Sequence, residues 1–255
     1  MRVVAIIQAR TGSTRLPGKV LMDLCGEPVL ARVVTRARRA VTLGEVVVAT
    51  TLEPADDAIV ALCGTRGWPC FRGSEADVLD RYYRAAECYR AAAVVRITSD
   101  CPLIEPVIVD EVVRAFLDRQ PGVDYASNVV PRRTFPVGLD TEVMRFEVLA
   151  QAWREDRNPA WREHVTPYIH RHPARFRLHS VVSPVDVSSM RWTVDTPEDL
   201  AFVRAVYRRF GGRDDVRWRE VLGLLEREPG LLDINRGVRQ KAVVGETDAG
   251  NSSRG

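Results

Sequence analysis

The sequence predicts an α/β fold of three layers, with helices on both faces of a mostly parallel sheet. Three observations predict it. Short apolar runs rich in Val and Ile recur along the chain. Each is followed by a longer stretch with apolar residues at helical spacing. The 255 residues suffice for one large α/β domain or two small ones. Strand–helix units in succession are the mark of a parallel sheet covered by helices.

The elements follow in order. "RVVAII" is a buried strand, and a polar loop follows it. "EPVLARVVTRARRAV" is a helix with Pro28 near its start. "EVVVAT" is a second strand, and "PADDAIVALCGTRG" is a helix closed by Gly67. "PCFRG" is a short extended piece. "DVLDRYYRAAECYRAA" is a helix for which Asp77 suits the N-cap. "AVVRITSD" is a third buried strand, ending in polar residues, and "EPVIVDEVVRAFLDRQPG" is a helix with a Pro-Gly stop. In the second half, "VDYASNVV", "TEVMR", "FRLHSVV" and "MRWTVD" read as strands. "FEVLAQAWRE" and "PAWREHVTPYIHRHP" read as helices. "TPEDLAFVRAVYRRFG" is a helix capped by Thr196 with Pro197 at its first position, and "WREVLGLLEREPGLLDIN" is a last helix and turn. Residues 1–236 are expected to form one domain, and the polar stretch 237–255 a flexible tail.

Composition narrows the function. The net charge is +3, too mildly basic to point to nucleic acid. No run approaches the roughly 18 apolar residues of a membrane span. "VVAII" is only strand length, so no signal peptide is read and a cytoplasmic protein is expected. The five cysteines (25, 63, 70, 88 and 101) are scattered and form no C-x-x-C, so they read as reduced thiols.

The chemistry concentrates after the first strand. In parallel sheets, ligands bind at the carboxyl ends of strands. "QARTGSTRLPGK" stands there, running from Gln8 and Ala9 to Lys19. Gly12 and Gly18 permit tight turns whose N–H groups can face an anion. Arg10 and Arg15 offer forked donors, Lys19 a point charge, and Ser13 and Thr14 hydroxyls. These residues together suit a phosphate group. The loop is not a Walker motif, because Val20 stands where Ser or Thr is required, and it is not G-x-G-x-x-G.

The pattern A-R-x-x-S-x-R-x-x-x-K, from Ala9 to Lys19, resembles the cytidylyltransferases that activate acidic sugars as CMP conjugates. With "RGSEADVLDRYYRAA", "VVRITSDCPLI" and "RWTVDTPEDL", the chain most resembles the spore-coat polysaccharide biosynthesis protein F branch. The likeness covers roughly residues 1 to 235. Gln8 departs from the Pro common in the sugar cytidylyltransferases but is typical of that branch. The resemblance implies a Rossmann-like sheet of the nucleotide-diphospho-sugar transferase type. It implies CTP on the loop, with Arg10, Arg15, Lys19 and Asp100 catalytic, and a nucleotide contact at Ser99. It also places Arg72, Gly73, Ser74 and the Asp77–Arg81 region beside the nucleotide, and makes Asp100 and Asp195 ligands of Mg²⁺.

The chemistry and the positions agree. Nucleotidyl transfer needs a cation to neutralise departing pyrophosphate. Asp100 and Asp195 each end a predicted strand at the carboxyl edge. Asp199 and Glu198 belong instead to a first helical turn. The acceptor, a small acidic molecule, is expected at residues 128–180. Arg132 and Arg133 could meet an acid there, and Asp140 and Glu142 alternate on one strand. Glu163 and His164 lie in a segment that resembles one near the family's acceptor. His164, His170 and His172 do not share a helix face, so no zinc site is read. A homodimer through the second half is expected by resemblance. Rival readings are a cytidylyltransferase for a phosphonate, a glycosyltransferase using a nucleotide sugar, and a non-catalytic polysaccharide-assembly protein. No D-x-D stands at a strand end, which weakens the glycosyltransferase reading.

Overall fold

A computed structural model describes residues 1–240. Its strands are β1 (Val3–Gln8), β2 (Asp23–Leu24), β3 (Glu27–Pro28), β4 (Glu45–Thr51), β5 (Cys70–Gly73), β6 (Ala93–Thr98), β7 (Tyr125–Ser127), β8 (Glu142–Arg145) and β9 (Leu178–Ser180). Its helices are α1 (Val29–Ala37), α2 (Asp57–Arg66), α3 (Val78–Cys88), α4 (Pro106–Leu117), α5 (Phe146–Glu155), α6 (Pro159–His164), α7 (Pro167–His170), α8 (Pro197–Arg209) and α9 (Trp218–Arg227).

Seven strands form one sheet in the order β5-β4-β1-β6-β8-β7-β9, and β2 with β3 makes a separate small hairpin. β5, β4, β1 and β6 run parallel. β8 runs antiparallel to both β6 and β7. The apolar strands are continuous because both faces are covered. Val3, Ala5 and Ile7 of β1 pack with α1, α2, α4 and α8 on one face. Val4 and Ile6 pack with α3, α5 and α7 on the other. Burying a side chain such as Ile7 contributes about 2 kcal/mol.

The chain passes from β1 to β4 and β5 on one side, then crosses back to β6 on the other. The strand order therefore reverses at β1, and a crevice opens where the loops after β1 and β6 diverge. Because β8 runs the other way, its first residue, Glu142, comes to the same edge and pairs in register with Arg96.

Local chemistry sets the boundaries. Asp77 caps α3 by accepting the Asp80 N–H at 2.9 Å. Thr196 and Asp199 form a capping box on α8. Gly67, at φ 62°, closes α2 in the left-handed region.

Four expectations need correction. Residues 190–195 form no strand: Trp192 N–H bonds to the Val137 carbonyl and Val194 N–H to that of Asp100, two separate segments, so no ladder develops. The helix expected over 159–173 breaks between α6 and α7, at Val165 with φ 70°. Pro167 follows two residues later and has no N–H to continue the helix. β7 stops at Ser127, because the Asn128 side chain takes over, bonding the Leu139 carbonyl and the Thr141 N–H. Asp100 lies in a turn after β6 and Asp140 in an irregular stretch before β8, rather than on the strands. The expected tail falls largely on residues outside those described. Gln240, at its start, is bonded to the Arg191 guanidinium.

No helix among the described residues is long and apolar enough to cross a membrane.

Candidate active site

A cavity of about 610 Å³ lies at the carboxyl edge, over β1 and β6. Ligand pockets typically measure about 300–1,000 Å³. Gln8, Ala9, Arg10, Ser13, Arg15 and Lys19 line it from the first loop. Ser99, Asp100 and Asp195 line it from the opposite wall.

The loop is held by a residue that sequence reasoning passed over. Asp56 accepts the Thr11 N–H and hydroxyl, each at 2.7 Å, and the Thr51 hydroxyl at 2.5 Å. Burial would raise its pKa, but these hydrogen bonds outweigh it and hold the carboxyl below its ordinary value. Gly18, at φ 70°, lets the chain enter the short turn that begins at Lys19. Its N–H returns to the Thr11 carbonyl at 2.9 Å, which closes the loop.

Lys19 Nζ is 2.7 Å from Asp100 Oδ2 and 2.8 Å from Asp195 Oδ1. Burial alone would lower the Lys19 pKa; the charges of Asp100 and then Asp195 overcome it, and the net shift is upward. Burial likewise opposes ionisation of Asp100, but Lys19 holds its pKa below the ordinary value. Arg15 adds an ion pair to Asp195 Oδ2 at 2.9 Å. Arg10 stands further off, 3.7 Å from both Glu75 and Glu163.

Arg81 also lines the cavity and is 1% exposed. It donates to the Ser74 carbonyl at 2.8 Å, while its buried Nε has no partner. Burial lowers its pKa. A buried guanidinium with a spare donor on a cavity wall is suited to an incoming anion. Gln8 Oε1 is likewise buried without a partner.

The far wall carries paired charges. Glu142 binds Arg96 and accepts the Tyr125 hydroxyl at 2.6 Å. Burial, which would raise the Glu142 pKa, is outweighed by the Arg96 charge and by hydrogen bonds from Thr166 and Tyr125, so the carboxyl stays low. Arg133 grips Asp140 with both terminal nitrogens, one at 2.8 Å. Glu163 and His164 line the cavity from α6.

The structure does not bring every expected residue there. Arg72 turns away, bonding the Thr51 and Glu53 carbonyls and pairing with Asp57 at 2.7 Å. Gly73 and Ser74 support Arg81 from outside the lining, and Gly12 sits against Glu75. Arg132 is mostly exposed and 3.5 Å from Asp186, so Arg133 alone of the pair reaches the cavity. Arg81 ends the Asp77–Arg81 region that the resemblance places beside the nucleotide, and it lines the cavity. Arg96 was hard to single out, since Arg recurs throughout the helices and strands. Gly138 carried a usable signal, a glycine between an Arg pair and a strand. Its φ is 108°, and a Cβ there would lie 2.7 Å from the Thr193 nitrogen and the Trp192 carbonyl carbon.

Comparisons with known proteins place the chain in a family. A family described as cytidylyltransferase matches residues 4–210. The chain is 35% identical over 234 residues to the spore coat polysaccharide biosynthesis protein SpsF of Bacillus subtilis, covering 89% of this chain and 95% of that protein. It is 43% identical over 116 residues to the 3-deoxy-manno-octulosonate cytidylyltransferase of Anaeromyxobacter dehalogenans, 44% of this chain and 46% of that one. The solved structure of a cytidylyltransferase from Leptospira borgpetersenii superposes with a TM-score of 0.88 at 31% identity, over 95% of this chain and all of that one. Its fold is the Rossmann-like nucleotidyltransferase sandwich that the sequence predicted. The chain is a nucleotidyltransferase and belongs to the cytidylyltransferase family, within the superfamily that makes CMP-sugars.

Proposed function

We propose that the chain transfers CMP from CTP to a hydroxyl of a small acid sugar and releases pyrophosphate, with Mg²⁺ held by Asp100 and Asp195. One observation carries this reading. Two carboxylates from distant segments converge on one ammonium, in a cavity whose loop wall also bears Arg10 and Arg15. That arrangement suits a polyanion bound with a cation. The name of the octulosonate relative supports an acid sugar, and that of SpsF supports a role in surface polysaccharide synthesis. The choice of cytosine rests on the family match.

The donor set fits the metal. Mg²⁺ takes one or two carboxylates and completes its shell with phosphate oxygens and water. Asp100 and Asp195 aim one oxygen each at a point already held by a cation, the Lys19 ammonium. Among the described residues no third His, Cys, Asp or Glu joins them. When bound, the ion would neutralise charge on the α-phosphoryl oxygens and the departing pyrophosphate. Lys19 and Arg15 turn to the triphosphate, and Arg10 and Ser13 close over it. Arg81 offers its spare donor to an anionic group. The acceptor hydroxyl oxygen forms its bond to the α-phosphorus and releases its proton to water as the bond to the β-phosphate oxygen breaks in line, and pyrophosphate leaves. Arg133, Asp140, Glu142, Glu163 and His164 form the acceptor wall. Its alternating donors and acceptors suit a polyhydroxylated acid. Positioning and charge neutralisation carry the rate.

The test is a thermal-shift screen of the full chain with Mg²⁺ and each of CTP, UTP, ATP and GTP, against CDP-, UDP- and GDP-sugars. Selective stabilisation by CTP, lost in EDTA, is expected, followed by pyrophosphate release with an acid-sugar acceptor. Stabilisation by a nucleotide sugar alone would overturn the reading in favour of glycosyl transfer.

A further inference from the structure

Asp195 has three cationic neighbours, and they differ in what holds them. Lys19 and Arg15 line the cavity and are available to a ligand. Arg191 lies behind Asp195. It is 9% exposed, and its Nη2 is 2.6 Å from Asp195 Oδ2. The same guanidinium binds Asp199 through Nε at 2.9 Å and Nη2 at 3.0 Å. Asp199 is fully buried and itself accepts the N–H groups of Asp195 at 3.0 Å and Thr196 at 3.2 Å. Asn235 ties this group to the C-terminal segment. Its amide donates to the Arg191 carbonyl and to Asp199 Oδ1, each at 3.0 Å.

The consequence is geometric. Residues 190–195 have no strand ladder; a bridge to Val137 and the bonds of Val194 N–H and the Thr193 hydroxyl to the Asp100 carbonyl hold the segment, and none of them touches the Asp195 side chain. Something else must aim the Asp195 carboxylate. A fork that spans two carboxylates does this better than a point charge. Arg191 cannot leave for a phosphate, because Asp199 anchors it from a buried position.

We infer that Arg191 is a positioning residue for Asp195, and that the C-terminal segment around Asn235 completes the active site by locking Arg191 against Asp199. The inference rests on the reading of Asp195 as a metal ligand. Groups behind a ligating carboxylate typically govern metal affinity by about 10- to 100-fold. Nucleotide contacts made without metal should be spared, since Lys19 and Arg15 are untouched.

The experiment uses the full chain and two readouts. Calorimetry in EDTA gives metal-free CTP affinity. The CTP-dependent thermal shift, followed across Mn²⁺ concentrations, gives the metal half-point. Arg191→Lys keeps the charge but loses the fork. Its metal half-point should rise about tenfold or more, with metal-free CTP affinity within about twofold of wild type. In turnover with an acid-sugar acceptor, kcat should fall more than KM for CTP moves. Asn235→Ala should shift the half-point in the same direction by about threefold, and it decides the matter if Arg191→Lys fails to fold. An unchanged half-point, or an equal loss of metal-free CTP affinity, overturns the inference. Asp195→Asn separates the two levels. If it leaves the metal half-point unchanged, the metal reading itself falls. If it abolishes the metal response while the other variants behave as wild type, only the role of Arg191 falls.

Discussion

Asp100 and Asp195 point one carboxylate oxygen each at a single atom, the Lys19 ammonium, at 2.7 and 2.8 Å. The two acids lie on different segments, joined where the Val194 N–H and the Thr193 hydroxyl both meet the Asp100 carbonyl. On the proposed reading, the ammonium stands where the divalent ion would bind, and the two cations would compete for the same oxygens.

Competition gives the first prediction. Lys19→Met should lower CTP-dependent turnover by about 100-fold or more, since a cation facing the transferring phosphate is lost. The same variant should bind Mn²⁺ more tightly without nucleotide, by about tenfold, equivalent to about 1.4 kcal/mol. Electron paramagnetic resonance of free Mn²⁺ measures this directly. Equal nucleotide-free affinity in variant and wild type would remove the competition.

The same ion pairs make stability depend on pH at both extremes. The Asp100 pKa is lowered from its ordinary 3.8, so its contribution is present above that value and lost as pH falls through the lower folded pKa. The Lys19 pKa is raised from 10.5, so its contribution is full below that value and lost as pH rises through the higher folded pKa. Melting temperature should carry no contribution from this pair to its pH dependence near neutrality. Asp100→Asn should flatten part of the acid limb, and an acid limb identical to wild type would contradict the assignment.

Gly138 should not tolerate a side chain. Its φ of 108° and the 2.7 Å approach to Thr193 and Trp192 backbone leave a Cβ nowhere to go. Gly138→Ala should cost about 2 kcal/mol or more in urea denaturation, through strain and backbone displacement. Activity should fall too, because the displaced segment leads to Asp195. A variant as stable as wild type would show that the segment yields freely.

Glu142 and Arg96 form a largely buried pair on the cavity wall. Glu142→Gln leaves the Arg96 charge uncompensated and should cost about 3–5 kcal/mol. Arg96→Met combined with Glu142→Leu should recover most of that stability while removing this one charge pair from the cavity wall. Denaturation of both variants, read beside pyrophosphate release, separates the structural from the functional part.

The parallel half was legible in the sequence because its strands are continuous apolar runs and its helices carry caps. The loop from Gln8 to Lys19 was legible because Gly, Arg, Ser and Lys there serve no core. The second half was harder. The run 190–195 alternates like a strand, yet its hydrogen bonds go to Val137 and Asp100 separately. Arg132 and Arg133 are indistinguishable by composition, and only the fold decides that Arg133 meets Asp140 while Arg132 faces outward. Asp56 acts at long range, on Thr11, and no local pattern marks it. Arg191 lies only four residues before Asp195, but outside any helix that would make that spacing a signal.

The wide separation of Lys19 and Asp195 has a consequence for synthesis. The two residues lie 176 positions apart. A ribosome adding about 5–20 residues per second delivers the second acid roughly ten to thirty-five seconds after the lysine. Asp100 follows Lys19 by only 81 positions, so through the later part of that interval the lysine has one carboxylate partner but lacks the second. The binding cavity is therefore among the last features the nascent chain completes, and occupancy by a nucleotide reports that nearly the whole chain has folded.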